Sequence, residues 1–115
     1  MLPKENRLHS DKEIKDLVKS GQSFFLPEMV IKYKANQEEI TKIGFIVSTK
    51  VDKKAVVRNK VARHFREAVR EVLPSLKPGY SVLIIAKNKV LELDYITIKK
   101  QISFAFDKIK LYNKS

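Results

Sequence analysis

The chain is 115 residues long, carries a formal net charge of +11 from 24 Lys and Arg against 13 Asp and Glu, and is 43% hydrophobic. One domain covering residues 1–115 accounts for that length, and the apolar content excludes a wholly disordered basic tail. Cysteine is absent, which excludes disulfides, thiolate zinc sites and cysteine nucleophiles. The start, Met1-Leu2-Pro3-Lys4-Glu5-Asn6-Arg7, has no apolar core of the signal-peptide kind. The longest apolar run, Val82 to Ala86, falls far short of the ~20 residues of a membrane span. A cytoplasmic protein with no membrane partner is therefore expected, and the missing cysteine fits a reducing compartment.

In chain order, Ser10 and Glu13 have capping-box spacing ahead of Ile14, Leu17 and Val18, and Gly21 ends that helix. Phe24 to Lys34 and Ile40 to Ser48 are rich in β-branched and aromatic residues and read as strands, with one more short strand near Gln22 to Leu26. The polar Ala35 to Glu39 between them suits a hairpin connection. Within the later strand Ile43, Phe45 and Val47 point one way, and Gly44, Ile46 and Ser48 the other. A basic helix follows, stopped near Pro74 and Pro78-Gly79. Tyr80 to Ala86 is almost wholly apolar, as a central strand is. Leu93-Asp94 resembles a staple and N-cap for a last helix, Tyr95 to Leu111, whose stripe is Ile98, Ile102, Ala105, Phe106 and Ile109. The order α-β-β-α-β-α predicts an α+β fold, an α-β sandwich with a single sheet and helices packed on it.

The basic helix carries the functional signal. From Lys50 to Arg70 there are eight Lys or Arg and two acids. At 100° per residue, Val57, Val61, Phe65, Ala68 and Val72 share an arc of about 80° that must face the core. Asn59, Arg63, Arg66 and Arg70 share an arc of about 60° on the far side, with Lys60 on its flank and Arg58 near the apolar edge. Lys50, Lys53 and Lys54 extend the positive strip around the helix N-terminus, where backbone N–H groups also favour phosphate. The plainer reading is a solvated face on which Glu67 and Glu71 pair with Lys60, Arg63 or Arg70, at a few tenths of a kcal/mol per pair. Two acids cannot neutralise that many bases, and arginine, with its forked donors, predominates along the stripe. The partner implied is nucleic acid.

Lys54, Ala55, Val56, Arg58, Asn59 and Arg63, in the order Lys-x-Ala-Val-x-Arg-Asn-x-x-x-Arg with Arg66-Glu67 following, resemble the signature helix of the bacterial ribonuclease P protein component. The likeness extends to Asn6-Arg7-Leu8 at the start, Gly21-x-Ser23 in the first turn, Gly44-Phe45-x-Val47-Ser48-x-Lys50 leading into the helix, and Asp94-Tyr95 before the last one. It implies the protein subunit of an RNA-based endonuclease. The RNA subunit, with Mg²⁺, removes the 5′ leader from precursor tRNA, while the protein binds that catalytic RNA through the basic helix and holds the leader in a cleft. No cofactor of the protein itself and no obligatory protein partner are implied. The family fold adds that the sheet is mixed and that its β-α-β crossover is left-handed, against the usual rule. By resemblance Lys50, Lys53, Lys54, Arg58, Asn59, Lys60, Arg63, Arg66 and Arg70 bind RNA, and Ile14, Val18, Phe25, Tyr33 and Ser48 line the leader cleft.

This chain departs from the family at three points. Ala62 stands where a basic residue is common, and Asp52-Lys53 replace a glycine before the helix. Ile14 and Val18 occupy first-helix positions where the family has aromatics, leaving Phe25 and Tyr33 as candidates for base stacking. The plainer reading of Ile14, Val18, Phe25 and Tyr33 is as core residues. A protein-only nuclease needs clustered carboxylates or paired histidines. Asp11 with Glu13, and Glu92 with Asp94, read instead as helix caps, and His9 and His64 are isolated in sequence. No catalytic or metal-binding residue is expected. A general RNA-binding or ribosome-assembly protein is the alternative, and a DNA-reading helix-turn-helix is disfavoured because a strand precedes the basic helix.

Overall fold

A computed structural model describes residues 2–8 and 10–113. Its helices and strands follow as α1 (Asp11–Ser20), β1 (Gln22–Phe25), β2 (Met29–Ala35), β3 (Lys42–Ile46), α2 (Ala55–Val72), β4 (Tyr80–Ala86) and α3 (Tyr95–Lys108). Short 3₁₀ turns occupy Lys4–Asn6, Leu73–Ser75 and Asn88–Glu92. Local signals place the helix ends well. Ser10 Oγ accepts the Glu13 N–H at 3.4 Å, and Asp94 Oδ1 accepts the Thr97 N–H at 2.9 Å. Gly21 closes α1 in an extended conformation (φ −75°), and its missing Cβ matters for another reason: one would stand 2.5 Å from the Leu17 carbonyl oxygen.

The four strands form one mixed sheet in the order β1-β2-β4-β3. β1 and β2 are antiparallel, β2 and β4 are antiparallel, and β3 runs parallel to β4 with α2 as the crossover between them. The hairpin expected across residues 35–39 does not form, because β4 occupies the slot between β2 and β3. A strand as apolar as Val82-Leu83-Ile84-Ile85 needs both edges paired and both faces covered, which only a central position supplies. The 36–41 connection instead spans the start of β4. The Asn36 N–H bonds Gly79 O at 2.8 Å, its side-chain amide reaches Ser81 Oγ at 3.2 Å, and Gln37 takes the turn at φ 61°.

Helices cover both faces. On one, Met29, Ile31, Ile43, Val82, Ile84 and Ala86 pack against Val61, Phe65, Ala68 and Val69 of α2 and Ile98, Ile102, Ala105 and Phe106 of α3. Each buried Val, Ile, Met or Phe among them contributes about 1.5–3 kcal/mol. On the other face Leu8, Leu17 and Leu83 form a smaller cluster under α1. The free edge of β3 is covered by the N-terminal segment, where the Leu8 N–H donates to Ile43 O at 3.0 Å. Asn6-Arg7-Leu8 is thus a fastening: Asn6 Nδ2 donates to Thr41 O and Arg7 Nε to Leu2 O, both at 2.9 Å.

Candidate nucleic-acid interface

The β3–α2 loop and α2 together carry the positive strip. Asp52 Oδ1 accepts the Lys54 N–H at 2.8 Å, and Arg58 Nη1 donates to Asp52 O at 3.0 Å and to Lys53 O at 2.8 Å. Arg58 therefore braces the loop that presents Lys50, Lys53 and Lys54, all exposed. No acid sits in the first turn of α2, so its N–H groups and the lysines present one positive end.

Along the helix Asn59, Lys60, Arg63 and Arg70 are exposed and Arg66 is half-buried. The pairing open to Glu67 and Glu71 does not occur. Glu71 bridges to Lys99 of α3 and accepts from the Tyr95 hydroxyl at 3.3 Å, and Glu67 forms no ion pair with any described residue. Among the described residues, ion pairs join Lys34 to Asp16, Lys42 to Glu13 and Glu38, and Lys99 to Glu71; none engages Lys50, Lys53, Lys54, Lys60, Arg63, Arg66 or Arg70. Seven cations on one loop and helix, none of them in an ion pair with a described residue, leave a positive surface of the kind that suits phosphate.

A second surface lies on the α1 side of the sheet. The register aligns Phe25 with Val30, Val30 with Ile85, and Ile85 with Ile46, so these four form one row across all strands. α1 lies over the neighbouring row, at Leu83, and leaves this one partly open. The result is an apolar shelf bordered by Ile14 and ending at Phe25, 69% exposed; Val18, one turn beyond Ile14 on α1, is 44% exposed. Lys87 Nζ sits 6.0 Å from the Phe25 ring centroid and donates to Leu26 O at 3.1 Å.

Of the five expected cleft residues, Phe25 lies in this row, Ile14 packs on the same cluster as Ile46 and Ile85, and Val18 is exposed one turn further along α1. Ser48 lies beyond the end of β3, where its hydroxyl accepts the Lys50 N–H at 3.3 Å and shapes the basic loop. Tyr33 is a correction. It pairs with Val82 and packs into the α2–α3 core, on the opposite face of the sheet from Phe25 and Val30. Its phase with Met29 and Ile31, against the lysines at 32 and 34, was the signal for that placement. Val30, Ile46, Ile85 and Lys87 were not expected in the shelf; the first three join it through cross-strand register, which a single segment does not reveal, and Lys87 reaches it from just beyond β4.

His64 packs on Tyr95 of α3 with ring centroids 5.5 Å apart. Burial, then the neighbouring Lys60 and Arg63 charges, push its pKa below that of a free imidazole. His9 lies outside the described residues. Among those described, no three His, Asp or Glu side chains gather in a way that could hold a metal ion, and no helix is long and apolar enough to cross a membrane.

The family model for ribonuclease P matches residues 2–110. This chain belongs to the ribonuclease P protein family. The ribonuclease P protein component of Picosynechococcus sp. is 37% identical over 94 residues, covering 82% of this chain and 81% of that one. That of Caldanaerobacter subterraneus is 32% identical over 114 residues, covering 99% and 97%. A solved structure of the Staphylococcus aureus ribonuclease P protein superposes with a TM-score of 0.85 at 21% identity, over 94% of this chain and 98% of that one. This last likeness is one of fold, and it extends to the mixed sheet with helices on both faces.

Proposed function

We propose that this member of the ribonuclease P family serves tRNA 5′-end maturation by binding the catalytic RNA through Lys50, Lys53, Lys54, Asn59, Lys60, Arg63, Arg66 and Arg70, with Arg58 bracing the loop. The 5′ leader of precursor tRNA lies on the shelf of Ile14, Val18 and Phe25, close to the turn at Ser48. Hydrolysis belongs to the RNA and its Mg²⁺, in the cytoplasm. The single observation that supports this reading best is the row of unpaired cations on α2 in a chain of this family. Neutralising phosphates lets two polyanions approach, and gripping the leader gives precursor an affinity that product lacks.

The test is reconstitution. The chain is mixed with precursor tRNA and Mg²⁺, with and without a bacterial ribonuclease P RNA, at near-physiological salt. The expected result is no cleavage by protein alone and correct 5′ maturation when both are present, faster than with the RNA alone. Cleavage by the protein unaided, or no stimulation of the RNA, would overturn the reading; RNA binding without stimulation would point to a general RNA-binding or ribosome-assembly role.

A further inference from the structure

Beside the basic strip, the first turns of α2 part from the Asn88–Glu92 turn and the start of α3, leaving an open groove of about 890 Å³. Its floor is aliphatic, from Val57, Val61, Val90 and Ile98. Its lips are Val56, 75% exposed, and Leu91, 42% exposed. The His64–Tyr95 ring pair also lines it. On the α2 rim stand Asn59, Lys60 and Arg63, and on the opposite rim Asp94, whose carboxylate is engaged in capping Thr97. No described residue hydrogen-bonds the Asn59 amide or pairs with Lys60 or Arg63.

We propose that this groove receives an unstacked nucleobase of an RNA strand, with the adjoining phosphates held by Lys60 and Arg63. The inference rests on α2 being the RNA-binding helix, and adds that the helix takes hold of a base as well as of phosphates. Charge orients the occupant: phosphate is drawn to Lys60 and Arg63 on the α2 rim, whereas Asp94 opposite is already engaged by Thr97 and lies near Lys100, so the base points toward the floor. A base offers a broad apolar face to the valines and leucine, and its π-face to the two rings. Its polar edge meets Asn59, whose amide carries both donors and an acceptor. The groove is of the size that holds small organic ligands. A lowered His64 pKa keeps that ring neutral near pH 7 and the floor uncharged.

The experiment titrates the isotope-labelled full chain with tetra-adenylate and, separately, with an abasic ribose-phosphate tetramer of the same charge, followed by NMR. Tetra-adenylate is expected to shift the Val56 and Leu91 methyls and the His64 and Tyr95 rings, whereas the abasic strand moves only the cationic strip. Val56→Ala with Leu91→Ala is expected to weaken tetra-adenylate binding about fivefold, the equivalent of about 1 kcal/mol of lost apolar burial, and to spare the abasic strand. If the two ligands bind alike and the groove methyls stay still, the groove inference falls while phosphate binding by α2 stands. If neither binds along α2, both fall. Methyl shifts that grow with protein concentration in the absence of oligonucleotide would give the groove to a second copy of the chain and overturn the proposal.

Discussion

A Cβ at Gly44 would stand 2.8 Å from the Leu8 carbonyl oxygen and 3.2 Å from Leu8 Cβ. Leu8 is itself tied to β3 through Ile43, so backbone must shift to admit even one methyl group. Gly44→Ala is expected to cost about 1–3 kcal/mol by overpacking, read as a lower urea midpoint; an unchanged midpoint would show that the N-terminal segment is not pinned. His64 makes a second residue-scale prediction. Its folded pKa lies below that of the unfolded chain, so the neutral ring is the form the fold favours. The corresponding share of stability is present above the unfolded pKa, about 6.5, and is lost as pH falls through the folded value. An NMR titration should place the His64 midpoint below that of a free imidazole, and His64→Gln should flatten that part of the acid limb; a midpoint at or above the free value would contradict the packing on Tyr95.

At the scale of the element, α2 combines two tasks on separate arcs, and each was legible to a different depth. The charged arc was readable because helical spacing is local: Asn59, Arg63, Arg66 and Arg70 share a face wherever the helix packs. The buried arc is wider than expected, since Val69 is buried along with Val61, Phe65 and Ala68. The helix touches α3 on one side and the sheet on the other, with Phe65 stacked 6.0 Å from Phe45, and a single periodic stripe cannot announce two neighbours. Because the cationic side carries none of this packing, it should be separable from stability. On the proposed function, about five phosphate contacts predict a slope of log K against log salt of about −3 to −5 for binding to a bacterial ribonuclease P RNA. Arg63→Ala with Arg66→Ala should make that slope shallower by about 1.5 and weaken assembly, with thermal unfolding unchanged. A salt-independent affinity would remove the strip from the interface.

Over the whole molecule, class and composition were legible, and connectivity was not. An α+β sandwich with an almost wholly apolar central strand followed from patterning, and both expected N-caps formed. Where β4 would insert did not follow, because turn residues say that a chain reverses and not which strand it reverses beside. That one unknown also decided the shelf: Phe25, Val30, Ile85 and Ile46 meet only when β4 lies between β2 and β3, whereas the placement of Tyr33 on the other face follows from alternation along β2 alone.

The position of β4 has a consequence for how the polypeptide comes together during synthesis. Until Tyr80–Ala86 leaves the ribosome, only β1 and β2 have a partner strand at hand; β3 and α2 must wait with their apolar sides uncovered. Closure across that long stretch carries a large entropic cost before any reward arrives. The nascent chain therefore completes its sheet late, and its main apolar face stays open from the emergence of Lys42 until α3, ending at Lys108, can cover it.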